Sequence, residues 1–242
     1  MNILIPMAGP DDAFRDKGFR YCKSLIELHG KPMLQRVYES LTPIHDGRYV
    51  FVIRKEDSDR FHLSDVIRLL NPQNVVLQTQ GATAGAACTA LLAIEHIDSD
   101  DELLITNADQ LFTVDLNAVI DDFRSRSLDA ATIVFESIHP RWSYVRLDER
   151  ELVVEAAEKR PISRLATAGF YYFRRGRDFT SAAMEMIRKD AHVDGHFYIC
   201  PTFNEMILRQ ARIGVHRIAA SDYISLARPE DIVAFSDRQP GA

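Results

Sequence analysis

A chain of 242 residues, 46% hydrophobic and 26% charged, can bury one large core, and nothing in its composition suggests a disordered, fibrous or membrane-embedded protein. Its formal charge of −6 argues against a general nucleic-acid binder, because polyanions recruit cationic surfaces. The three isolated cysteines, Cys22, Cys88 and Cys200, lack metal-ligand spacing and the even count of a disulfide scaffold, which points to a reducing compartment.

The first apolar run, Ile3–Met7, predicts a buried strand. It lacks the basic leader of a targeting segment and falls far short of the ~20 apolar residues that span a bilayer, so a cytoplasmic location is expected. A polar loop from Gly9 to about Lys23 follows, then a short extended piece at Ser24–Glu27 and a turn at Gly30-Lys31-Pro32. Proline suits the first turn of a helix, where its missing N–H costs nothing, and Met33–Leu41 carries the apolar spacing of that helix. Tyr49–Ile53 reads as a strand, Asp59–Leu70 as an amphipathic helix, and Val75–Gln78 as the next strand. Gly81–His96 reads as an alanine-rich helix able to approach a sheet closely. Leu103–Thr106 is a strand ending in Asn107-Ala108-Asp109-Gln110, followed by a helix at Leu116–Arg124 and a strand at Ala130–Phe135. This alternation is the rhythm of a mostly parallel sheet covered by helices.

Strands then crowd together at Ser143–Leu147, Glu151–Ala156 and Gly169–Phe173, with Asp148-Glu149-Arg150 as a hairpin turn. Helices are expected at Phe179–Lys189 and Thr202–Ala211, a late strand at Gly214–Ala219, and a closing helix at Pro229–Asp237. The tail Arg238–Ala242 is expected to be disordered. With no repeat or linker in view, a single α/β domain over residues 1–242 is the simplest organisation.

In open α/β sheets, ligands sit beyond the carboxyl ends of strands, where loops and helix N-termini converge. Asp109 follows a short buried strand and can face that crevice, where a carboxylate suits a hard cation that bridges to phosphate. It could equally cap its own loop, and Asn107 and Gln110 could orient it, bind polar groups of a nucleotide or simply satisfy turn amides. Lys23, after the long loop, could neutralise charge on a transferring phosphoryl group or simply be a surface lysine. Arg15, Lys17 and Arg20 make that loop cationic, with Asp11, Asp12 and Asp16 opposing them. Gly81, Gly85 and Ala86 give an unobstructed approach to a helix N-terminus, although helix packing also explains them. Glu158-Lys159-Arg160 follows a strand, where the lysine could pair with a phosphate and the carboxylate could bind a hydroxyl or ammonium; exposed charge is the plainer reading. His196, Phe197 and Tyr198 read as a lid, an aromatic wall or core. The histidines have no zinc-ligand spacing, and no Gly-x-Ser-x-Gly nucleophile elbow occurs.

The run Ile3-Leu-Ile-Pro-Met-Ala-Gly9, then Lys23-Ser-Leu-Ile-Glu27, Gly30-Lys-Pro-Met33 and Gly81 through Ala86 resemble one family in order and spacing. So do Asn107-Ala-Asp109, Glu158-Lys159, Ala168-Gly169-Phe170-Tyr171 and Pro229-Glu-Asp231. The family is the nucleotidyltransferases that make nucleotide-sugars, particularly short, capsule-associated pyrophosphorylase-like members. The resemblance implies a Rossmann-like, mostly parallel sheet flanked by helices, with residues 1–130 binding a nucleoside triphosphate (CTP, UTP or dTTP) and residues 131–237 a phosphorylated acceptor such as a sugar phosphate. The acceptor phosphate would attack the α-phosphorus and pyrophosphate would leave, giving an NDP-activated precursor for cell-surface polysaccharide. On the same resemblance Asp109 holds Mg2+, Lys23 contacts the triphosphate and Lys159 the acceptor phosphate. Ala8, Gly9, Gln80, Gly81, Gly85 and Asn107 would form the nucleotide pocket, and Glu158, Gly169 and Tyr198 would border the acceptor. A homodimer also fits the analogy.

Two departures from the family pattern stand out. Where relatives read Gly-x-Gly-Ser/Thr-Arg, this chain reads Gly9-Pro-Asp-Asp-Ala13, so Asp11 replaces a glycine and Ala13 an arginine. An aspartate beside triphosphate oxygens repels them unless a cation compensates, and Arg15 is the candidate cation. Ser225 stands where many relatives carry a second metal carboxylate, and Asp222 is the candidate substitute. These changes keep two alternatives in play. A glycosyltransferase using a preformed nucleotide-sugar would favour an Asp-x-Asp pair, of which Asn107-Ala-Asp109 supplies one carboxylate. A nucleotide-binding or regulatory protein with weakened catalysis would account for Asp11, Ala13 and Ser225.

Overall fold

Ile3, Leu4 and Ile5 are all fully buried, as a strand must be when both faces of its sheet are covered. The computed structural model describes residues 1–237, and the tail Arg238–Ala242 lies outside the described residues. The first half runs β1 (Asn2–Met7), α1 (Asp12–Asp16), a 3-10 turn at Lys23–Leu25, a small hairpin of β2 (Glu27–Leu28) and β3 (Lys31–Pro32), and α2 (Met33–Leu41). It continues with β4 (Arg48–Arg54), α3 (Lys55–Phe61), α4 (Leu63–Leu70), β5 (Val75–Thr79), α5 (Ala86–Leu91) and α6 (Ile94–Ile97). Next come β6 (Leu103–Thr106), β7 (Gln110–Phe112), α7 (Leu116–Ser125) and β8 (Ala130–Glu136). The remainder is β9 (Ser143–Leu147), β10 (Val153–Glu158), β11 (Leu165–Phe173), α8 (Gly176–Arg188), α9 (Thr202–Ile207) and β12 (Ile213–Arg217). A 3-10 turn at Ala220–Asp222, β13 (Tyr223–Ser225) and α10 (Pro229–Ser236) complete it.

The central sheet has nine strands, seven of them in the order β10-β9-β11-β6-β1-β4-β5; β8 pairs with β11 and with β12. Strands β5, β4, β1 and β6 are parallel neighbours, and β11 joins β6 in the antiparallel sense. This is the Rossmann-like, helix-flanked sheet expected from the sequence, mixed because β9, β10 and β11 pair antiparallel. Side chains alternate between two apolar layers along each strand. Ile3 and Ile5 face the layer built with α2 and α7, including Val37 and Phe123. Leu4 faces the layer built with α5, α8 and α9, including Ala87, Ala90, Phe179 and Phe203. The small alanines of α5 allow its backbone to lie close to the sheet, as expected from the sequence.

Several elements differ from expectation. The helix expected over Gly81–His96 begins only at Ala86, because Gly85 has φ 107° and the Phe197 backbone crosses it. A Cβ at Gly85 would lie 2.5 Å from the Phe197 carbonyl oxygen. The helix expected over Asp59–Leu70 is two helices, α3 and α4, divided at His62 with φ 56°. The Gly9–Lys23 loop contains α1, and the piece expected to be extended at Ser24–Glu27 starts in a 3-10 turn. Strand β10 runs to Glu158 rather than stopping at Ala156, which brings that carboxylate to a strand end. Strands β7 and β13, three residues each, pair antiparallel from Tyr223 opposite Phe112 to Ser225 opposite Gln110. Among the described residues no helix is long and apolar enough to cross a membrane.

Candidate active site

A cleft of about 330 Å³ opens beyond the carboxyl ends of β1 and β6. Met7, Gly9, Lys23, Asn107 and Asp109 line it together with Trp142, Glu158, Gly169, Tyr171 and Tyr198. At its floor Lys23 Nζ donates to Asp109 Oδ2 at 2.8 Å, with both side chains largely buried. Burial pushes the Lys23 pKa down, but the charge and hydrogen bond of Asp109 push harder, so the value lies above the ordinary one. The lysine therefore remains an ammonium. The Asp109 main chain is fixed as well, since Leu226 N–H donates to its carbonyl at 2.8 Å.

The turn that carries Asp109 is clamped from beneath. Three residues of β11, Ala168 to Phe170, occupy the space opposite Ile133, because the register shifts between Thr167 and Tyr171. Gly169 sits in this bulge with φ 62°. Its carbonyl accepts from Gln110 Nε2 at 2.9 Å, and Gln110 also donates to Thr106 Oγ1 at 3.1 Å. Asn107 Nδ2 donates to Gln110 Oε1 at 3.3 Å. The turn's two amides thus lock Asp109 between them, with Asn107 itself facing the cleft.

Asp11 also lines the cleft, yet its carboxylate is paired. Oδ2 accepts from the Arg54 guanidinium at 2.9 Å and from the Lys23 backbone N–H at 3.1 Å. Arg54 in turn donates twice to Asp57, at 2.7 and 3.0 Å. The arginine beside Asp11 is therefore Arg54, from the end of β4. Arg15 is exposed, pairs with Asp12 and does not line the cleft.

Glu158 and Ser143 also line the cleft, where the Glu158 carboxylate accepts from the Ser143 hydroxyl. Burial raises its pKa against the lowering influence of Ser143 and Lys159. Lys159 is exposed, with its backbone in the left-handed region at φ 53°. Its Nζ donates to the Tyr198 hydroxyl at 2.9 Å, so Tyr198 stands between the ammonium and the cleft.

Other expected residues lie apart. Ala8 is buried behind Gly9, Gly81 is exposed, and Gln80 borders a separate depression with Lys55 and Arg60. Gly85 packs against Phe197, joining the α5 N-terminus to the second half of the chain. Asp222 accepts from the Thr113 hydroxyl at 2.8 Å and does not line the cleft. Ser225 donates to Asp231 at 2.9 Å. Among the described residues no group of three or more His, Cys, Asp or Glu side chains is arranged to hold a metal ion.

Sequence reasoning missed Arg54, Arg141, Trp142 and Tyr223. The Arg141 guanidinium lies 4.0 Å from the centre of the Trp142 ring, and Trp142 meets Tyr223 edge-on at 5.6 Å. The one available signal was that Trp142 is the only tryptophan in the chain, next to an arginine just before a strand.

The sequence profile of the nucleotidyl transferase family matches residues 18–195. The match begins at Gly18, within the Gly9–Lys23 loop but past Asp11 and Ala13, the positions that depart from the expected motif. The chain is 29% identical over 178 residues to the bifunctional protein GlmU of Methanocaldococcus jannaschii, covering 72% of this chain but only 40% of that protein's length. It is 27% identical over 179 residues to the UTP–glucose-1-phosphate uridylyltransferase AglF of Haloferax volcanii, covering 72% of each. A nucleoside-diphosphate-sugar pyrophosphorylase of Vibrio cholerae RC9 superposes with a TM-score of 0.84 at 25% identity, over 98% of this chain and 100% of that one. On the extent of the profile match and the shared fold, this chain belongs to the nucleotidyl transferase family.

Proposed function

We propose that the chain joins CTP, UTP or dTTP to a phosphorylated acceptor such as a sugar phosphate and releases pyrophosphate. The observation that carries this reading is the Lys23–Asp109 pair, 2.8 Å apart on the floor of a cleft between the two halves of the sheet. Residues 1–130 would hold the nucleotide and residues 131–237 the acceptor. The similarity to a UTP–glucose-1-phosphate uridylyltransferase makes a sugar 1-phosphate the first acceptor to try. An activated precursor of cell-surface polysaccharide is the product class that the family resemblance favours.

In this reaction an acceptor phosphate oxygen forms a bond to the α-phosphorus. The bond from that phosphorus to the bridging oxygen breaks, and pyrophosphate leaves with the electron pair. No covalent enzyme intermediate is needed, so the protein acts by positioning and charge neutralisation. The Lys23 ammonium, kept protonated by Asp109, neutralises charge on the triphosphate. Lys159 reaches the acceptor phosphate by leaving Tyr198, and the Glu158 carboxyl binds an acceptor hydroxyl. Asp109 fits Mg2+, because Oδ2 takes Lys23 while Oδ1 has no protein hydrogen-bond partner among the described residues. A magnesium ion held by one carboxylate draws its other ligands from phosphates and water, which suits a site with no protein cage. When bound, the ion would supply charge neutralisation to the triphosphate.

Pyrophosphate release is measured across the four NTPs and a panel of phosphorylated acceptors, with mass detection of the product. An NDP-linked adduct formed by the wild type supports the reading. Stoichiometric NTP binding with no adduct from any pair would favour a binding protein instead.

A further inference from the structure

We propose that Asp11 is a positioning residue for Lys23: its carboxylate anchors the lysine's main chain while Arg54 offsets its charge toward a bound triphosphate. This rests on the proposed role of Lys23. Asp11 occupies the position where a glycine is expected, and an aspartate there should repel phosphate. Its surroundings reverse that expectation. Asp11 is only 8% exposed, and its Oδ2 receives both the Lys23 backbone N–H at 3.1 Å and Arg54 at 2.9 Å.

Lys23 opens the 3-10 turn Lys23–Leu25, where the first N–H groups have no partner within the turn. The preceding residue, Cys22, supplies no side-chain cap. Asp11, twelve residues back, supplies it from across the loop. Lys23 is thus held at both ends by carboxylates, its backbone by Asp11 and its ammonium by Asp109. Charge-assisted hydrogen bonds of this kind are short and directional. They fix the stem of a side chain that would otherwise sample many rotamers. Beneath it, the buried Phe14 ring lies 5.9 Å from Lys23 Nζ and packs edge-on against Phe19.

Arg54 does two things from the end of β4. It neutralises Asp11, and it fixes Asp57 bidentately so that the two buried carboxylates share one guanidinium. With Ala13 where the family pattern has an arginine, the cation paired with Asp11 is Arg54, which acts through Asp11 and not by touching phosphate.

The test uses Asp11→Ala, Asp11→Asn and the pair Arg54→Met/Asp57→Asn, the last with and without Asp11→Asn. Removing Arg54 together with the Asp57 charge avoids leaving Asp57 buried and unpaired. The first readout is amide hydrogen exchange at Lys23, which needs no turnover. It should rise in Asp11→Ala and stay protected in Asp11→Asn, whose amide oxygen still accepts the N–H. The second is kinetic: Asp11→Ala should lower kcat by about 10²-fold, as expected for a displaced catalytic group, with KM for NTP changed less than ~3-fold. Asp11→Asn should recover most of that loss. The third is NTP affinity: Arg54→Met/Asp57→Asn should weaken it, and adding Asp11→Asn should restore it. Unchanged Lys23 exchange in Asp11→Ala, or equal NTP affinity with and without Asp11→Asn, overturns the proposal. If the wild type transfers no nucleotidyl group, the proposed function fails, while exchange and NTP affinity still decide the role of Asp11.

Discussion

Gly169→Ala should damage both stability and turnover, for separable reasons. The backbone there has φ 62°, where an L side chain costs about 1–2 kcal/mol. An added Cβ would also lie 2.2 Å from Asn107 Nδ2 and 2.7 Å from Gln110 Oε1, so both side chains must move. Gln110 is buried and donates to Gly169 O and Thr106 Oγ1, and disturbing one such bond costs about 1–2 kcal/mol. The total is about 2–4 kcal/mol, or about 5–15 °C in Tm for a chain of this length. Because Asn107 and Gln110 flank Asp109, a shift of about 1 Å in that turn should lower kcat by about 10²-fold. The comparison variant is Gly81→Ala. Gly81 also has positive φ, 81°, but nothing within 4 Å of an added Cβ. It should lose only about 2–8 °C, from backbone strain alone. Thermal melts and initial-rate kinetics on both variants decide the matter. Equal melting losses and equal kcat in the two would refute the claim that the β11 bulge positions the Asp109 turn.

Glu158→Gln should stabilise the protein at neutral pH while weakening acceptor use. Burial raises the Glu158 pKa above its ordinary value, so its favourable contribution is complete below the unfolded pKa and lost as pH rises through the folded one. The Tm advantage of Gln should therefore be full above the folded Glu158 pKa and shrink as pH falls through it toward the ordinary carboxylate value; a pH-independent difference contradicts the cause assigned. Lys159→Ala should raise acceptor KM at least ~10-fold and leave KM for NTP nearly unchanged, and a loss confined to NTP would place the lysine on the wrong substrate. Burial pushes the Cys22 thiol up to about 12 and raises Cys88 and Cys200 as well. Ellman's reagent at pH 8 should thus react slowly with the native protein, and only at the half-buried Cys88, with all three thiols appearing on unfolding. Fast labelling of two thiols in the native state would show that the loop around Cys22 or the cleft wall around Cys200 opens readily.

What could be read from the sequence follows from how local each signal is. Strands β1, β4 and β6 announce themselves because burial on both faces demands unbroken apolar runs. Lys23 and Asp109 were legible too: Asp109 follows a recognisable strand and Lys23 ends a long polar loop, and the fold brings both to the same cleft. Arg54 was not, because an arginine ending a buried strand looks like any solvent-facing terminus until Asp11, 43 residues away, meets it. Arg15 was the nearer choice in sequence and lies outside the cleft, since α1 turns it toward Asp12. The β7–β13 pair was invisible for a similar reason: strands of three residues carry too little period-2 pattern, and their pairing spans the length of the second half. Gly85 was read as the approach to a helix without the chain that crosses it. Only the fold reveals that Phe197 lies on top and rules out a side chain there.

The central claim is that the Lys23–Asp109 pair marks a site of nucleotidyl transfer. The most direct measurement is pyrophosphate release with Mg2+, sugar 1-phosphates and each pyrimidine triphosphate, comparing the wild type with Asp109→Ala at equal folded concentration. The account predicts an NDP-linked product from the wild type and at least ~10²-fold lower kcat in Asp109→Ala. Product formation by Asp109→Ala at the wild-type rate would contradict it.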